Sequence, residues 1–168
     1  MIVQDNEKLE EISVRGITCN KAEAKITICA VPDQPGVAAK IFKQLAKSGI
    51  NVDTIVQNVS HTKLTDISFT VPDAVFTKAI TVTKKIAQKI RAGEVLSDEN
   101  IARVSIVGSG MRSHSGIAAK MFQTLAENKI NIEMISTSEI SISCIIDQKF
   151  SDLAVQKLHK KFNLQILA

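Results

Sequence analysis

Gly36-Val37-Ala38-Ala39-Lys40-Ile41-Phe42 returns 80 residues later as Gly116-Ile117-Ala118-Ala119-Lys120-Met121-Phe122, and a repeat of that length governs the whole reading. The likeness runs on. Leu45-Ala46 falls on Leu125-Ala126, and Ile50-Asn51-Val52-Asp53 on Ile130-Asn131-Ile132-Glu133, so that 10 of the 20 positions from Gly36 to Ile55 are identical without a gap. The chain is a tandem duplication, and the order of elements in one copy should recur in the other.

Each copy changes its hydrophobic period in the same sequence. In the first, residues 25–30 read as a strand, and 36–47 carry apolar residues at 37, 38, 41, 42 and 45, which is helical spacing. A strand over 52–59, the polar turn His61-Thr62-Lys63 and a strand over 65–71 make a hairpin. Pro72-Asp73 is expected to cap a second helix, and 94–96 to form a short closing strand. The second copy offers strands at 103–107, 132–136, 140–146 and 164–167, with helices at 116–127 and 151–162. The fold class is therefore α+β: two tandem ferredoxin-like βαββαβ units, each with two helices on one face of a four-stranded antiparallel sheet. The expected domains are 19–98 and 99–168, with a further strand over 11–18 attached to one of the two sheets. Units this small are marginal alone, so their sheets should pair with each other or with a second chain.

Composition removes other classes. The 168 residues are 45% hydrophobic, enough for a packed core, and 21 Lys and Arg against 17 Asp and Glu give a formal charge of +4. The cations are scattered, so no nucleic-acid footprint is announced. No long apolar run suggests a membrane span, and the acidic start (Asp5, Glu7, Glu10, Glu11) is unlike a secretory leader. Cys19, Cys29 and Cys144 stand apart without metal-ligand or Cys-x-x-Cys spacing, which fits reduced thiols in a cytoplasmic protein with neither metal nor cofactor. No Gly-x-x-x-x-Gly-Lys-Ser/Thr loop occurs, so no phosphoryl transfer is expected of this polypeptide.

Val31-Pro32-Asp33-Gln34-Pro35-Gly36-Val37-Ala38, set between the first strand and the first helix of a duplicated unit, resembles the ACT domain family. The runs Ile50-Asn51-Val52-Asp53-Thr54-Ile55-Val56-Gln57-Asn58-Val59-Ser60 and Ile130-Asn131-Ile132-Glu133-Met134-Ile135-Ser136-Thr137-Ser138-Glu139-Ile140 are similar to the C-terminal regulatory part of bacterial aspartate kinase. The likeness spans roughly residues 11–164. It implies a feedback sensor for threonine and/or lysine, a homodimer in which the first ACT unit of one chain meets the second unit of the other. It also implies a catalytic domain or α subunit as partner, this chain being either a β subunit or an excised regulatory domain. The alternatives are a free-standing ACT pair that regulates another enzyme or transcription, and an RNA-binding ferredoxin-like module. The last is disfavoured because Phe69 is the only strand aromatic in either unit.

An amino-acid effector needs partners for its carboxylate, its ammonium and its side chain. In the loop Asp33-Gln34-Pro35-Gly36, Pro35 can begin the helix and Gly36 lets a ligand approach the backbone, so the N–H groups of Gly36, Val37 and Ala38 should be free for a carboxylate. Asp33 reads from composition as an N-cap; the resemblance makes it the ammonium partner instead. Gln57 and Asn58 suit a hydroxyl or amide, and the resemblance adds backbone groups of Asn131 and Ile132 from the other chain. In the second loop Ser113 takes the place of Asp33, next to His114. The counter-ion there must come from Glu139 or Asp53, with Ser138 beside it, and Ala118 replaces a hydroxyl residue of some family members.

Overall fold

The computed structural model describes residues 14–59, 61–111 and 115–164. Strand β1 (Val14–Asn20) precedes a first copy made of β2 (Glu23–Pro32), α1 (Val37–Lys47), β3 (Ile55–Gln57), β4 (Leu64–Pro72), α2 (Phe76–Lys89) and β5 (Val95–Asp98). The second copy holds β6 (Ile101–Gly108), α3 (Ser115–Glu127), β7 (Met134–Thr137), β8 (Ser141–Asp147) and α4 (Ser151–Lys161). Two compact units result, one centred on Asn20–Ala102 and the other on Arg103–Ile146 together with β1 and α4.

In the first unit the sheet order is β3-β4-β2-β5, and all three pairings are antiparallel. Alternation along β4 explains which face is covered: Thr65, Ile67, Phe69 and Val71 are buried, while Leu64 and Asp66 are exposed. Ala24, Ile26 and Ile28 of β2 join the buried row. Onto it α1 lays Val37, Ile41 and Leu45, a stripe of residues four apart, and α2 lays Ala79, Thr83, Ile86 and Ala87. Phe42 meets Phe69 edge to face, with centroids 5.7 Å apart, so both are core residues.

Two local expectations change. Asp73 does not cap α2 through its side chain; its backbone N–H donates to the Ala22 carbonyl at 3.1 Å, and a 3-10 turn over Asp73–Val75 precedes the helix. Strand β3 is only three residues long, because the chain before it joins β4 irregularly, through Asp53 N–H to Thr70 O (3.1 Å) and Thr70 N–H to Thr54 O (3.0 Å).

The second unit has the order β1-β6-β8-β7. The strand that precedes the first copy thus fills the seat beside β6 that β5 fills beside β2 in the first unit. With β1 on one side and β8 on the other, β6 has no free edge for the strand expected at 164–167; Leu164 is outside any strand, and 165–168 lie outside the described residues. The core repeats that of the first unit. Ile117, Met121 and Leu125 of α3 and Ala154 and Leu158 of α4 are buried, and the Cys144 thiol lies 4.0 Å from the Met121 sulfur. Each sheet also carries a hydroxyl pair across its central strands, Thr27–Ser68 at 2.8 Å and Ser105–Ser143 at 2.7 Å.

Leu45 is wholly buried, so Leu45→Ala should lower the unfolding free energy by about 2–5 kcal/mol, read from a urea titration. Burial pushes the Cys144 thiol up to about 12. The unfolded thiol ionises near its ordinary 9.0 while the native one keeps its proton, so this contribution is whole below pH 9 and declines above it. A thiol reagent at pH 8 should modify exposed Cys19 quickly and Cys144 only as the protein unfolds.

Candidate functional site

Strand β2 ends in a bulge that aims the chain at α1. The β2–β4 register shifts between Ile28 and Val31, and Ala30 takes a left-handed φ of 49°. Two groups hold this irregularity from opposite sides. The Ala30 N–H donates to Asp66 Oδ1 at 2.9 Å, and the Gly93 N–H to the Cys29 carbonyl at 2.8 Å. A Cβ on Gly93 would stand 3.0 Å from that carbonyl oxygen and 3.2 Å from the Ala30 Cβ, so any larger residue there would have to push the bulge aside by a few tenths of an ångström. Beyond the bulge Val31 and Pro32 pair again with Thr65 and Leu64, and Asp33 N–H donates to Lys63 O at 2.9 Å. Asp66 was not singled out in the sequence, where it is one exposed acid in an alternating strand.

Gly36 closes the turn at φ 88°, immediately before α1. The N–H groups of Gly36, Ala38 and Ala39 meet no acceptor among the described residues, whereas Lys40 N–H reaches Gly36 O at 3.0 Å. Val37 is a correction. Its N–H, expected free, donates to the Gln34 carbonyl at 3.3 Å, because the left-handed glycine curls the turn back on itself. Asp33 is exposed and gives α1 no side-chain cap, so the capping reading falls away, and its carboxylate has no partner among the described residues. A carboxylate beside a positive helix end can hold both charges of an amino acid.

Gln57 and Asn58 come to the same end of the sheet. Gln57 pairs with Ile67 on β4, and the Thr65 hydroxyl donates to Asn58 O at 2.6 Å, while Val31 and Pro32 flank the other side of that stretch of β4. Asp53 does not join them, since its N–H bonds to Thr70 towards the far end of β4.

The second loop is built differently. Ser113 and His114 lie outside the described residues. Counted back from the helix, Ser113 matches Asp33; counted from the central hydroxyl pairs, Met111 does, and its N–H bonds to Glu139 O at 3.0 Å as Asp33 N–H bonds to Lys63 O. The second connection is therefore two residues longer than the sequence repeat implies, and α3 begins at Ser115, so that Gly116 is helical where Gly36 is left-handed. Glu139 is thus beside this loop. Ser138 spends its hydroxyl on the β7–β8 turn, near Ser141 Oγ (2.9 Å) and accepting from Ser141 N–H (3.1 Å). Ala118 sits half-buried in the first turns of α3. Asn131 and Ile132, before β7, have backbone groups that meet no partner among the described residues.

The family model for the ACT domain matches residues 30–85 and 104–162. The chain belongs to the ACT domain family. It is 49% identical over 162 residues to an aspartate kinase of Pseudomonas putida, covering 96% of this chain and 39% of that protein, so the chain spans about two fifths of the curated relatives it matches. A crystal structure of aspartokinase alpha and beta subunits superimposes at TM-score 0.84 and 47% identity, over 90% of this chain and 100% of that one. The regulatory subunit of aspartate kinase from Thermus thermophilus, in its ligand-free form, superimposes at TM-score 0.84 and 37% identity, over 91% of this chain and 99% of that one. The tandem ACT pair is thus a regulatory region of the aspartate kinase type. Phe69, the one strand aromatic among the described residues, is wholly buried and unavailable for base stacking. No helix among the described residues is long and apolar enough to cross a membrane.

The two aligned glycines should respond oppositely to the same change. Gly36→Ala forces an L side chain into the left-handed region and should cost about 1–2 kcal/mol. Gly116→Ala, in a helix with open space around it, should stabilise by about 0.5–1 kcal/mol; thermal melts of the two variants make the comparison.

Proposed function

We propose that this chain is the feedback sensor of an aspartate kinase in the cytoplasm, and that it binds threonine and/or lysine at ACT–ACT contacts of a homodimer. The observation that carries the reading is the amino end of α1, where three unpartnered N–H groups stand near the uncommitted Asp33 carboxylate. In this reading Gly36 and Ala38, with Ala39 added by the geometry, hold the effector carboxylate. Asp33 holds its ammonium, Gln57 and Asn58 read its side chain, and Gln34, Pro35 and Val37 shape the turn. Asn131 and Ile132 of the second chain offer free backbone groups to complete the site.

The second loop is the weaker site of the two in this proposal. It lacks an acid at the helix-anchored position, so Glu139 supplies the negative charge, and Asp53 joins only from another chain. Regulation follows from linkage: an effector that bridges two chains favours the dimer geometry that bridges best, and a catalytic domain or α subunit attached to that geometry is less active. A coupling of about 1–3 kcal/mol suffices for strong inhibition.

Titration calorimetry with threonine and with lysine tests the proposal. At least one should bind, and Asp33→Ala should weaken that binding tenfold or more while leaving the fold intact by circular dichroism. Absence of heat and of a melting shift with both amino acids would refute the assignment, and unchanged affinity in Asp33→Ala would remove Asp33 from the site.

A further inference from the structure

The charges of the first unit are segregated. Helices α1 and α2 together carry seven lysines, and not one of the chain's 17 acidic residues falls in either. Lys40, Lys43 and Lys47 form a row along α1 at spacings of three and four, and Lys89 with Arg91 stands at the carboxyl end of α2. All five are exposed, and none has an ion pair among the described residues. Like charges at this spacing repel and work against the helices that carry them, so the arrangement is unfavourable for the isolated fold.

These five side chains rim an open groove of about 610 Å³ on the first unit. Val37, Ile86 and Ile90 line it as well, together with Pro32 and Gln34 of the loop described above. We propose that the groove is a docking surface for an acidic, amphipathic segment of a protein partner. Its carboxylates would pair with the lysine row and Arg91, and its apolar residues would lie against the isoleucines. Charge complementarity selects the occupant: an unneutralised cationic rim over an apolar floor fits alternating acids and aliphatics. A nucleic acid fits less well, since no aromatic side chain lines the groove and only one of its five cations is an arginine. Because Gln34 and Val37 belong to both the groove and the turn before α1, whatever occupies one is in contact with the other.

The test uses the full chain and a fluorescent peptide of repeated Glu-Glu-Leu-Glu units, with fluorescence anisotropy as the readout. Binding at low salt should weaken steeply as salt is added. The triple variant Lys43→Glu/Lys47→Glu/Lys89→Glu should raise Kd at least tenfold. Lys157→Glu/Lys160→Glu/Lys161→Glu, which makes the same change of net charge on α4, should raise it less than threefold. If charge reversal disturbs the fold, the Lys→Gln triple at the groove positions should still give several-fold weakening. Absence of peptide binding, or equal loss in the two triple variants, overturns the proposal. Tighter binding of oligouridylate or inorganic tripolyphosphate, with displacement of the peptide, overturns it in favour of a nucleic acid or a free phosphate ligand. Calorimetry with threonine and lysine is read separately, so failure of the groove and failure of the effector site are distinguishable.

Discussion

Everything in the first unit depends on the seating of one apolar stripe. Val37, Ile41 and Leu45 can leave water together only if α1 lies across the row made by Ile26, Ile28, Ile67 and Phe69. At roughly 1.5–3 kcal/mol for each large side chain fully buried, that contact fixes where the helix begins relative to the sheet. It begins where β2 ends and β4 starts, so its unpaired N–H groups face the end at which Asp33, Gln57 and Asn58 emerge. The candidate site is a consequence of core packing, with polar groups left over at the one place the helix cannot satisfy them.

Around that contact the two copies spend their backbone irregularities differently. The first uses a bulge at Ala30, held by Asp66 and the close approach of Gly93, and a left-handed Gly36. The second uses a connection two residues longer and starts its helix earlier, absorbing the same glycine into regular structure. A duplicated sequence has thus diverged in the connection between its first strand and first helix while keeping its core stripe, its central hydroxyl pair and its hairpin.

The sequence repeat was legible because helix and strand periods survive in the apolar positions of both copies. Helix α1, expected over 36–47, runs over Val37–Lys47, whereas the hairpin keeps its second strand and shortens its first to Ile55–Gln57, and the second helix starts at Phe76 after a 3-10 turn. What went unread was local and polar. Asp66 acts through a backbone amide 36 residues away in the chain, and no pattern in the sequence marks such a bond. The Asp33 cap and the Asp73 cap are both sound on composition, yet both carboxylates lose to backbone turns that place the helix start elsewhere. The match of Ser113 with Asp33 relied on counting from the helix, and a gapless alignment cannot register two residues added between a strand and a helix.

The sequence by itself determined that there are two units and that each repeats one order of strands and helices with its apolar stripe on the first helix, because periodicity and duplication are properties of order along the chain. Tertiary structure alone decided which sheet receives the strand that precedes both copies, which amide groups stay unpaired, and that the lysines of two separate helices share one groove. Those outcomes depend on distances between residues far apart in the chain, and such distances exist only once the apolar faces have been buried.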